Sequence, residues 1–403
     1  MTALLPYGRH GIDDDDIAAV EKVLRGEFLT TGPAVAAFEQ ALAEAVGAPG
    51  AVACSSGTAA LHLAAMSIGL GPGDAAVVPA ITFLATANAV RLTGAEVVFA
   101  DVDPDTGLMG ADHVDAAMGN AGGQRVRAVF PVHLAGQPAA MDEIAMFADA
   151  RGLVVVEDAC HALGSTYEAR DGGLMQIGQA EHGGLAAFSF HPVKTVAMGE
   201  GGALTGRNEA LLERARRLRN HGMTREPAAF TESALAFDDE GAANPWHYEM
   251  PEPGLNYRAS DIHCALGLSQ LGKLERLVAR RRALAAAYDE GLAALAPLVR
   301  PLARRPGCAA AWHLYVALID FAAAGTSRRR VMEALRADGI GSQVHYIPVH
   351  LQPYYRQRCG AQDLPGAMRY FERCLSLPLF PGMADGDVDR VVRALSRAIR
   401  DGG

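Results

Sequence analysis

Short apolar runs alternate with longer amphipathic runs over the first 160 residues of the chain. Continuous apolar runs are typical of buried strands, and apolar residues at three- and four-residue spacing are typical of helices. The pattern predicts strands at 51–54, 75–78, 96–100, 128–132 and 153–156, and helices at 13–25, 33–46, 59–69, 86–93, 113–118 and 141–151. Such alternation predicts an α/β fold with a mostly parallel sheet covered by helices on both faces.

After residue 260 the spacing predicts helices at 260–282 and 283–295. From Trp312 the pattern changes, and it predicts a strand at 313–319, helices at 328–338, 366–374 and 385–400, and a further segment at 343–347. The helix at 283–295 is expected to lead into a second domain. We therefore predict a large domain over residues 1–282, which includes the N-terminal segment, and a smaller α/β C-terminal domain over residues 283–403.

The charge and cysteine content of the chain argue against several kinds of binding partner and site. The chain has 403 residues and a formal net charge of −10, which argues against a nucleic-acid or anionic-membrane partner, since both need clustered positive charge. Its six cysteines are far apart with no C-x-x-C pair, so neither a metal site nor a disulfide framework is predicted. The start shows no basic region followed by an apolar run, and no apolar run is long enough to span a membrane. A cytoplasmic location is expected.

Lysine is rare in this chain. Of the 36 basic residues only Lys22, Lys194 and Lys273 are lysine. Lys22 and Lys273 lie in amphipathic runs, where a solvated helix face explains them. Lys194 follows an alternating apolar segment at 186–190, which predicts a strand. Because a lysine amine can lose its proton and attack a carbonyl whereas arginine stays protonated, we predict that Lys194 is the reactive group.

Two weaker signals accompany this lysine. Ser56–Thr58 lies between a predicted strand and a helix, where it can hold a phosphate or simply cap the helix. Glu157 and Asp158 follow the strand at 153–156, where Asp158 can pair with the protonated ring nitrogen of pyridoxal 5'-phosphate (PLP) or cap the next helix. A Rossmann site is disfavoured, since Gly69–Gly73 follows a helix and lacks the third glycine. Together the signals favour a PLP enzyme.

The sequence from Pro6 to about Asp387 resembles the DegT/DnrJ-type nucleotide-sugar aminotransferases. The segments that carry the resemblance are 28–33, 55–61, 79–83, 157–162, 188–194 and 254–258. The resemblance implies a fold type I, aspartate aminotransferase-like PLP enzyme whose large domain binds the cofactor. It also implies a homodimer with shared active sites.

The resemblance assigns roles around the cofactor. Lys194 and Asp158 are the implied catalytic residues, with Lys194 as the Schiff-base partner and Asp158 on the pyridine nitrogen. The other implied cofactor contacts are Phe83 against the ring, His161 near the phenolic oxygen, Gly57, Thr58 and Ser189 at the phosphate, and Asn256 reaching that phosphate from the partner subunit.

Three further segments, 132–138, 343–350 and 375–380, are most similar to the branch of the family that acts in pseudaminic acid synthesis. This similarity implies transfer of an amino group from glutamate to C4 of a UDP-linked 4-keto-6-deoxy-N-acetylhexosamine. The implied substrate contacts are Tyr7, Glu27, Phe28, Leu29, Thr30, Gln343, His345 and Tyr346. Some relatives have lysine at the position of Glu27, so this residue departs from the pattern.

Other functions fit parts of the same pattern. A GDP-linked substrate, as in perosamine-forming enzymes, is the nearest enzymatic alternative. A deoxysugar dehydratase of this fold would have histidine in place of Lys194. A homologue that only binds a sugar nucleotide would not need both Lys194 and Asp158.

Overall fold

A seven-stranded sheet forms the centre of the computed structural model, which describes residues 4–182 and 184–400. The strands of the described chain are β1 (Gly50–Cys54), β2 (Asp74–Pro79), β3 (Glu96–Ala100), β4 (Arg125–Val129), β5 (Val154–Asp158), β6 (Thr166–Glu168), β7 (Leu174–Gln176), β8 (Leu185–Ser189), β9 (Gly202–Gly206), β10 (Val299–Pro301), β11 (Cys308–Ala309), β12 (Tyr315–Ile319) and β13 (Cys374–Leu377). The central sheet has the order β1-β9-β8-β5-β4-β2-β3. β9 runs antiparallel to both neighbours, and the other pairs are parallel. The prediction of a mostly parallel sheet is confirmed.

The α-helices of the described chain are, in sequence order, α1 (Asp14–Leu24), α2 (Pro33–Val46), α3 (Gly57–Ser67), α4 (Leu84–Leu92), α5 (Ala111–Met118), α6 (Met141–Asp149), α7 (Glu209–Leu218), α8 (Ser233–Ala236), α9 (Asp261–Leu271), α10 (Leu274–Leu292), α11 (Arg328–Ala337), α12 (Pro353–Cys359), α13 (Pro365–Arg373) and α14 (Asp387–Arg400). Helices of the N-terminal part, among them α2 to α4, α6 and α7, pack on the central sheet, and α11 to α14 belong to the C-terminal part. Strands β2 and β9 are buried at every position, as expected when both faces of a sheet are covered. None of the helices in the described ranges is long and apolar enough to span a membrane.

The helix predicted over 260–282 is in fact two helices. α9 ends before Gly272, and Lys273 has non-helical dihedral angles. The ammonium of Lys273 lies 2.8 Å from the buried carboxylate of Asp16, so this lysine joins two parts of the fold rather than lying on a solvated helix face. The break predicted after 282 is absent because α10 continues to Leu292. The division into domains 1–282 and 283–403 stays a prediction.

The C-terminal part contains a small antiparallel sheet of β10, β12 and β13. The sequence pattern did not predict β13 or β9. The segment at 343–347 is attached to β13 through a pair of backbone hydrogen bonds between Gln343 and Ser376, of 3.1 and 2.7 Å. Backbone hydrogen bonds also tie this part to the central sheet, from Val349 to the carbonyl of Ala80 (2.8 Å) and from His313 to that of Ala135 (2.9 Å). These links bring C-terminal side chains to the end of the central sheet.

Candidate active site

A cavity of about 280 Å³ lies at the carboxyl ends of β5 and β8. This is the edge at which parallel sheets bind ligands. The predicted site residues that line the cavity are Tyr7, Gly57, Thr58, Phe83, Asp158, His161, Ser189, Lys194, His345 and Tyr346. These residues come from distant parts of the chain, so the fold has assembled most of the predicted site.

Lys194 lies five residues beyond the end of β8, in a turn closed by the hydrogen bond from its N–H to the carbonyl of His191 (2.8 Å). Its side chain is partly exposed, because it opens to the cavity. Burial by the surrounding protein lowers the pKa of Lys194, and the nearby Cys160 and Asp158 act in the opposite direction. A lowered pKa makes the neutral amine more available as a nucleophile and as a base.

Asp158 is the last residue of β5 and is 5% exposed. One carboxylate oxygen accepts a hydrogen bond from the hydroxyl of Thr86 at 2.6 Å, and the other accepts one from the N–H of Cys160 at 3.2 Å. The Thr86 hydroxyl is also 2.7 Å from that of Thr82. These bonds fix the orientation of the carboxylate in the cavity wall.

The neighbouring Glu157 has a different role. Successive side chains of a strand point to opposite faces of the sheet, and the Glu157 carboxylate accepts a hydrogen bond from the Nε2 of buried His133 at 3.0 Å. The Nδ1 of the same ring accepts the N–H of Ala139 at 3.0 Å, so the tautomer is assigned by its partners. Of the two carboxylates at the end of β5, only Asp158 lines the cavity.

The start of α3 has both roles that the sequence left open for Ser56–Thr58. The Ser56 hydroxyl caps the helix by accepting the N–H of Ala59 at 3.1 Å. Gly57 and Thr58 line the cavity, where first-turn N–H groups have no partner within the helix. A Cβ on Gly57 would lie 2.6 Å from the Cβ of Ser189, so only glycine allows α3 to approach β8 this closely.

Aromatic and histidine side chains form another wall of the cavity. The hydroxyl of Tyr346 lies 3.1 Å from the Nε2 of His161, and the Tyr346 ring centroid is 5.9 Å from that of Phe83. The ring of His345 is 5.4 Å from that of Tyr7. Burial, followed by the charge of Lys194, lowers the pKa of His345 to about 4 and that of His161 well below its ordinary value. Both rings are therefore neutral at pH 7.

Some predicted contacts lie outside the cavity. The structure exposes the side chains of Glu27, Phe28, Leu29, Thr30, Asn256 and Gln343. Their assigned roles stay predictions.

Other residues at the site were not predicted from the sequence. They are Thr82, Thr86, Cys160, His191, Glu200 and His313. Thr82 lies within the motif at 79–83 and Thr86 is four residues further on, so the spacing of the two hydroxyls could have indicated a shared role. His313 has no comparable local signal, because only the tertiary structure brings it to the cavity.

The donor set fits PLP. Lys194 offers an amine of lowered pKa, and Asp158 offers a fixed carboxylate for a cationic ring nitrogen. The close approach of Gly57 and Ser189 leaves N–H groups and hydroxyls for a phosphate. The Nδ1 of buried His161 has no protein partner in residues 4–182 and 184–400, so it can serve a bound group. The residues that would hold PLP are therefore present together.

Comparison with protein-family models matches residues 10–396 to the DegT/DnrJ/EryC1/StrS aminotransferase family. The chain belongs to this family. The match spans nearly the whole chain and includes both Lys194 and Asp158.

Solved structures of similar proteins agree with this assignment. The aminotransferase TlmJ from Streptoalloteichus hindustanus is 30% identical, with 99% of each chain covered and a TM-score of 0.85. Helicobacter pylori PseC, an aminotransferase in pseudaminic acid biosynthesis, is 26% identical over 99% of this chain and 100% of its own, with a TM-score of 0.87. A Streptococcus pneumoniae protein solved in a PLP form is 27% identical over 99% and 100% of the two chains, with a TM-score of 0.84. The same protein was also solved in a form with pyridoxamine 5'-phosphate (PMP).

This DegT-family chain is therefore a PLP-dependent sugar aminotransferase of fold type I. The predictions of family, fold class, cofactor and enzyme class are confirmed. Its relatives act in various sugar pathways, so membership of the family does not identify the sugar that this enzyme aminates.

Proposed function

We propose that the enzyme transfers the amino group of glutamate to C4 of a UDP-linked 4-keto-6-deoxy-N-acetylhexosamine. The observation that carries the proposal is that Tyr7, His345 and Tyr346 line one cavity with Lys194. His345 and Tyr346 belong to a segment that is similar to the pseudaminic acid branch of the family. The fold similarity to PseC over 99% of the chain supports the same choice.

The cavity wall suits a sugar ring. Tyr7 and Tyr346 present aromatic faces and hydroxyl groups, and His345 is neutral, so the wall offers apolar surface and hydrogen bonds without a fixed charge. A hexose with hydroxyl and N-acetyl groups needs this mixture. We propose that the exposed segment Glu27–Thr30 and Gln343 contact the nucleotide beyond the cavity.

Bound PLP supplies an aldehyde carbon that reacts with amines and a cationic ring that withdraws electrons. With PLP held there, Lys194 would serve as the base that takes up and returns a proton at the substrate carbon, because burial favours its neutral amine. Asp158, held by Thr86 and the Cys160 N–H, keeps negative charge at the position proposed for the ring nitrogen. Over both half-reactions glutamate becomes 2-oxoglutarate and the sugar ketone becomes an amine.

We also propose that the enzyme works as a homodimer with shared sites. Asn256 lies outside the cavity of its own chain and is exposed. Backbone hydrogen bonds of 2.7 Å from Leu255 to Leu218 and 2.9 Å from Tyr257 to Arg219 hold the loop on either side of it. An anchored loop with an outward amide suits a contact with the phosphate site of a second subunit.

We also propose a cytoplasmic location, which the six free thiols support.

The substrate proposal is tested with matched nucleotide sugars. The enzyme is incubated with glutamate and, in separate reactions, UDP- and GDP-linked 4-keto-6-deoxy sugars with and without the N-acetyl group, and 2-oxoglutarate is measured. We expect the highest kcat/KM for the UDP-linked N-acetyl ketone. A preference for the GDP-linked ketone would refute the proposed substrate and leave the aminotransferase assignment intact.

Subunit mixing tests the shared site. Lys194→Ala and Asn256→Ala chains should each be inactive alone. After equal mixing and exchange, half the dimers are hybrids with one complete site of two, so activity should reach about a quarter of the wild-type value. Proven subunit exchange without any recovery would contradict the sharing of Asn256.

A further inference from the structure

His313 lies against His161 inside the cavity. The two ring centroids are 4.4 Å apart with the ring planes at 44°, and the side chains are 5% and 6% exposed. The His161 ring also lies near that of Tyr346, with centroids 6.1 Å apart and ring planes at 24°, and its Nε2 is 3.1 Å from the Tyr346 hydroxyl. His161 thus contacts both an imidazole and a phenol.

The backbone fixes His313 from both sides. Its N–H donates to the carbonyl of Ala135 at 2.9 Å, and its carbonyl accepts a hydrogen bond of 3.2 Å from the Arg281 guanidinium. Arg281 is 1% exposed and also donates to the carbonyls of Trp312 and Leu379. Within the described ranges all hydrogen bonds of this buried arginine go to backbone carbonyls, which indicates that the stretch must keep one position.

The arrangement costs stability. Ala135 and Trp312 both have positive φ angles, of 59° and 41°, and such strain persists only where the surrounding structure imposes it, most often at functional sites. The Nδ1 atoms of both His161 and His313 are buried without a protein partner in the described ranges. Buried unpaired polar atoms are rare in native proteins. The strained backbone at Ala135 and Trp312, on both sides of the contact with His161, points to a functional role for this stretch.

The charged and titratable groups around the pair come from several elements. They are Lys194, His345, Tyr346 and Arg281. Burial is the largest cause that lowers the pKa of both rings, and the positive charge of Lys194 is the next. Each ring therefore stays neutral for as long as water is kept away from it.

We propose that His313 is a positioning residue: its ring holds His161 against Tyr346 and keeps water from one face of the His161 ring. The resemblance places His161 at the phenolic oxygen of PLP, so a change in its position or charge alters the cofactor's visible absorption. The proposal rests on the cofactor chemistry of the family and does not depend on which sugar the enzyme uses.

Three variants separate this role from a structural one. His313→Ala exposes the face of the His161 ring to water. His313→Gln does the same and replaces the alanine variant if that variant does not fold. His313→Phe keeps a flat ring in the space. As a matched control we choose His350→Ala, since His350 is 3% exposed, has both ring nitrogens unpartnered among the described residues, and does not line the cavity.

The main measurement is the visible absorption of the PLP-loaded enzyme titrated from pH 5 to 8. In His313→Ala and His313→Gln the pKa of His161 should return toward its ordinary value of about 6.5 and add a new spectral transition there. Misplacement of His161 should lower kcat/KM by on the order of 10²-fold. His313→Phe should show neither the new transition nor most of the loss, and His350→Ala should lower Tm while its spectral titration stays that of the wild type.

Two results would overturn the proposal. One is a wild-type spectral titration and kcat/KM in a folded His313→Ala or His313→Gln enzyme, which would make His313 a packing residue. The other is an equal loss in His313→Phe without a new transition, which would mean that a nitrogen of His313 itself is required.

Discussion

A substitution at Gly57 tests whether the start of α3 binds the phosphate of PLP. In Gly57→Ala the new Cβ would lie 2.6 Å from the Cβ and 3.0 Å from the Oγ of Ser189, whereas non-bonded carbons need about 3.5–4.0 Å. The start of α3 must therefore retreat from β8 by about 1 Å. That shift takes a hydrogen bond of about 2.9 Å out of range. A charge-assisted hydrogen bond contributes about 1.5–3 kcal/mol, so PLP should bind about 10- to 150-fold more weakly for each bond lost.

The assay is titration of cofactor-free protein with PLP, followed by the visible absorption, together with Tm of the cofactor-free protein. Gly71→Ala is the matched control, because a Cβ there would meet nothing within 4 Å. We expect Gly71→Ala to bind PLP like the wild type. Wild-type affinity in folded Gly57→Ala would refute the placement of the phosphate at the start of α3.

Three further predictions concern the cavity. Lys194→Arg keeps the charge but cannot form the covalent link, so the variant should contain no borohydride-reducible bond to PLP, and such a bond would refute the role of Lys194. Asp158→Asn should stay folded but lose a few kcal/mol of transition-state stabilisation, measured as kcat/KM, because the ring nitrogen loses its charged partner; an unchanged kcat/KM would contradict this. The pKa of His345 falls to about 4 on folding, so the unfolded chain binds more protons between pH 4 and 6.5. The contribution of His345 to the free energy of unfolding is therefore fully present above pH 6.5. It is lost as the pH falls toward 4, and the total loss is about 3 kcal/mol. His345→Gln should weaken the decrease in unfolding free energy between pH 7 and 5, and an identical decrease would contradict the shift.

Local sequence properties are the basis of the roles proposed for Lys194 and Asp158. Lysine is rare in this chain, whose basic residues are mostly arginine, so Lys194 stands out by its residue type. Asp158 follows an apolar strand, which places it at the edge where parallel sheets bind ligands. Both features depend on short-range patterns, because strand periodicity and residue chemistry are properties of neighbouring positions. The mostly parallel sheet and the PLP cofactor were predictable for the same reason, whereas the family was predicted from the resemblance of motifs spread along the chain.

Element boundaries depended on contacts that the pattern does not contain. The break between α9 and α10 occurs where Lys273 reaches the carboxylate of Asp16, more than 250 residues earlier in the chain. Strands β9 and β13 were missed because each is defined by its pairing partners in the sheet. Strand formation depends on pairing and burial more than on intrinsic preference.

Only the tertiary structure decided which side chains support the two predicted catalytic residues. Thr86 reaches Asp158 across 72 residues of sequence, and His313 reaches His161 because Arg281 and Ala135 hold its backbone. Neither threonine nor histidine marks such a role by its type, since both occur as caps and as packed residues throughout proteins. A supporting contact depends on the distance and orientation of two side chains. Residues far apart in the sequence acquire these only when the chain folds, so the local sequence pattern does not contain them.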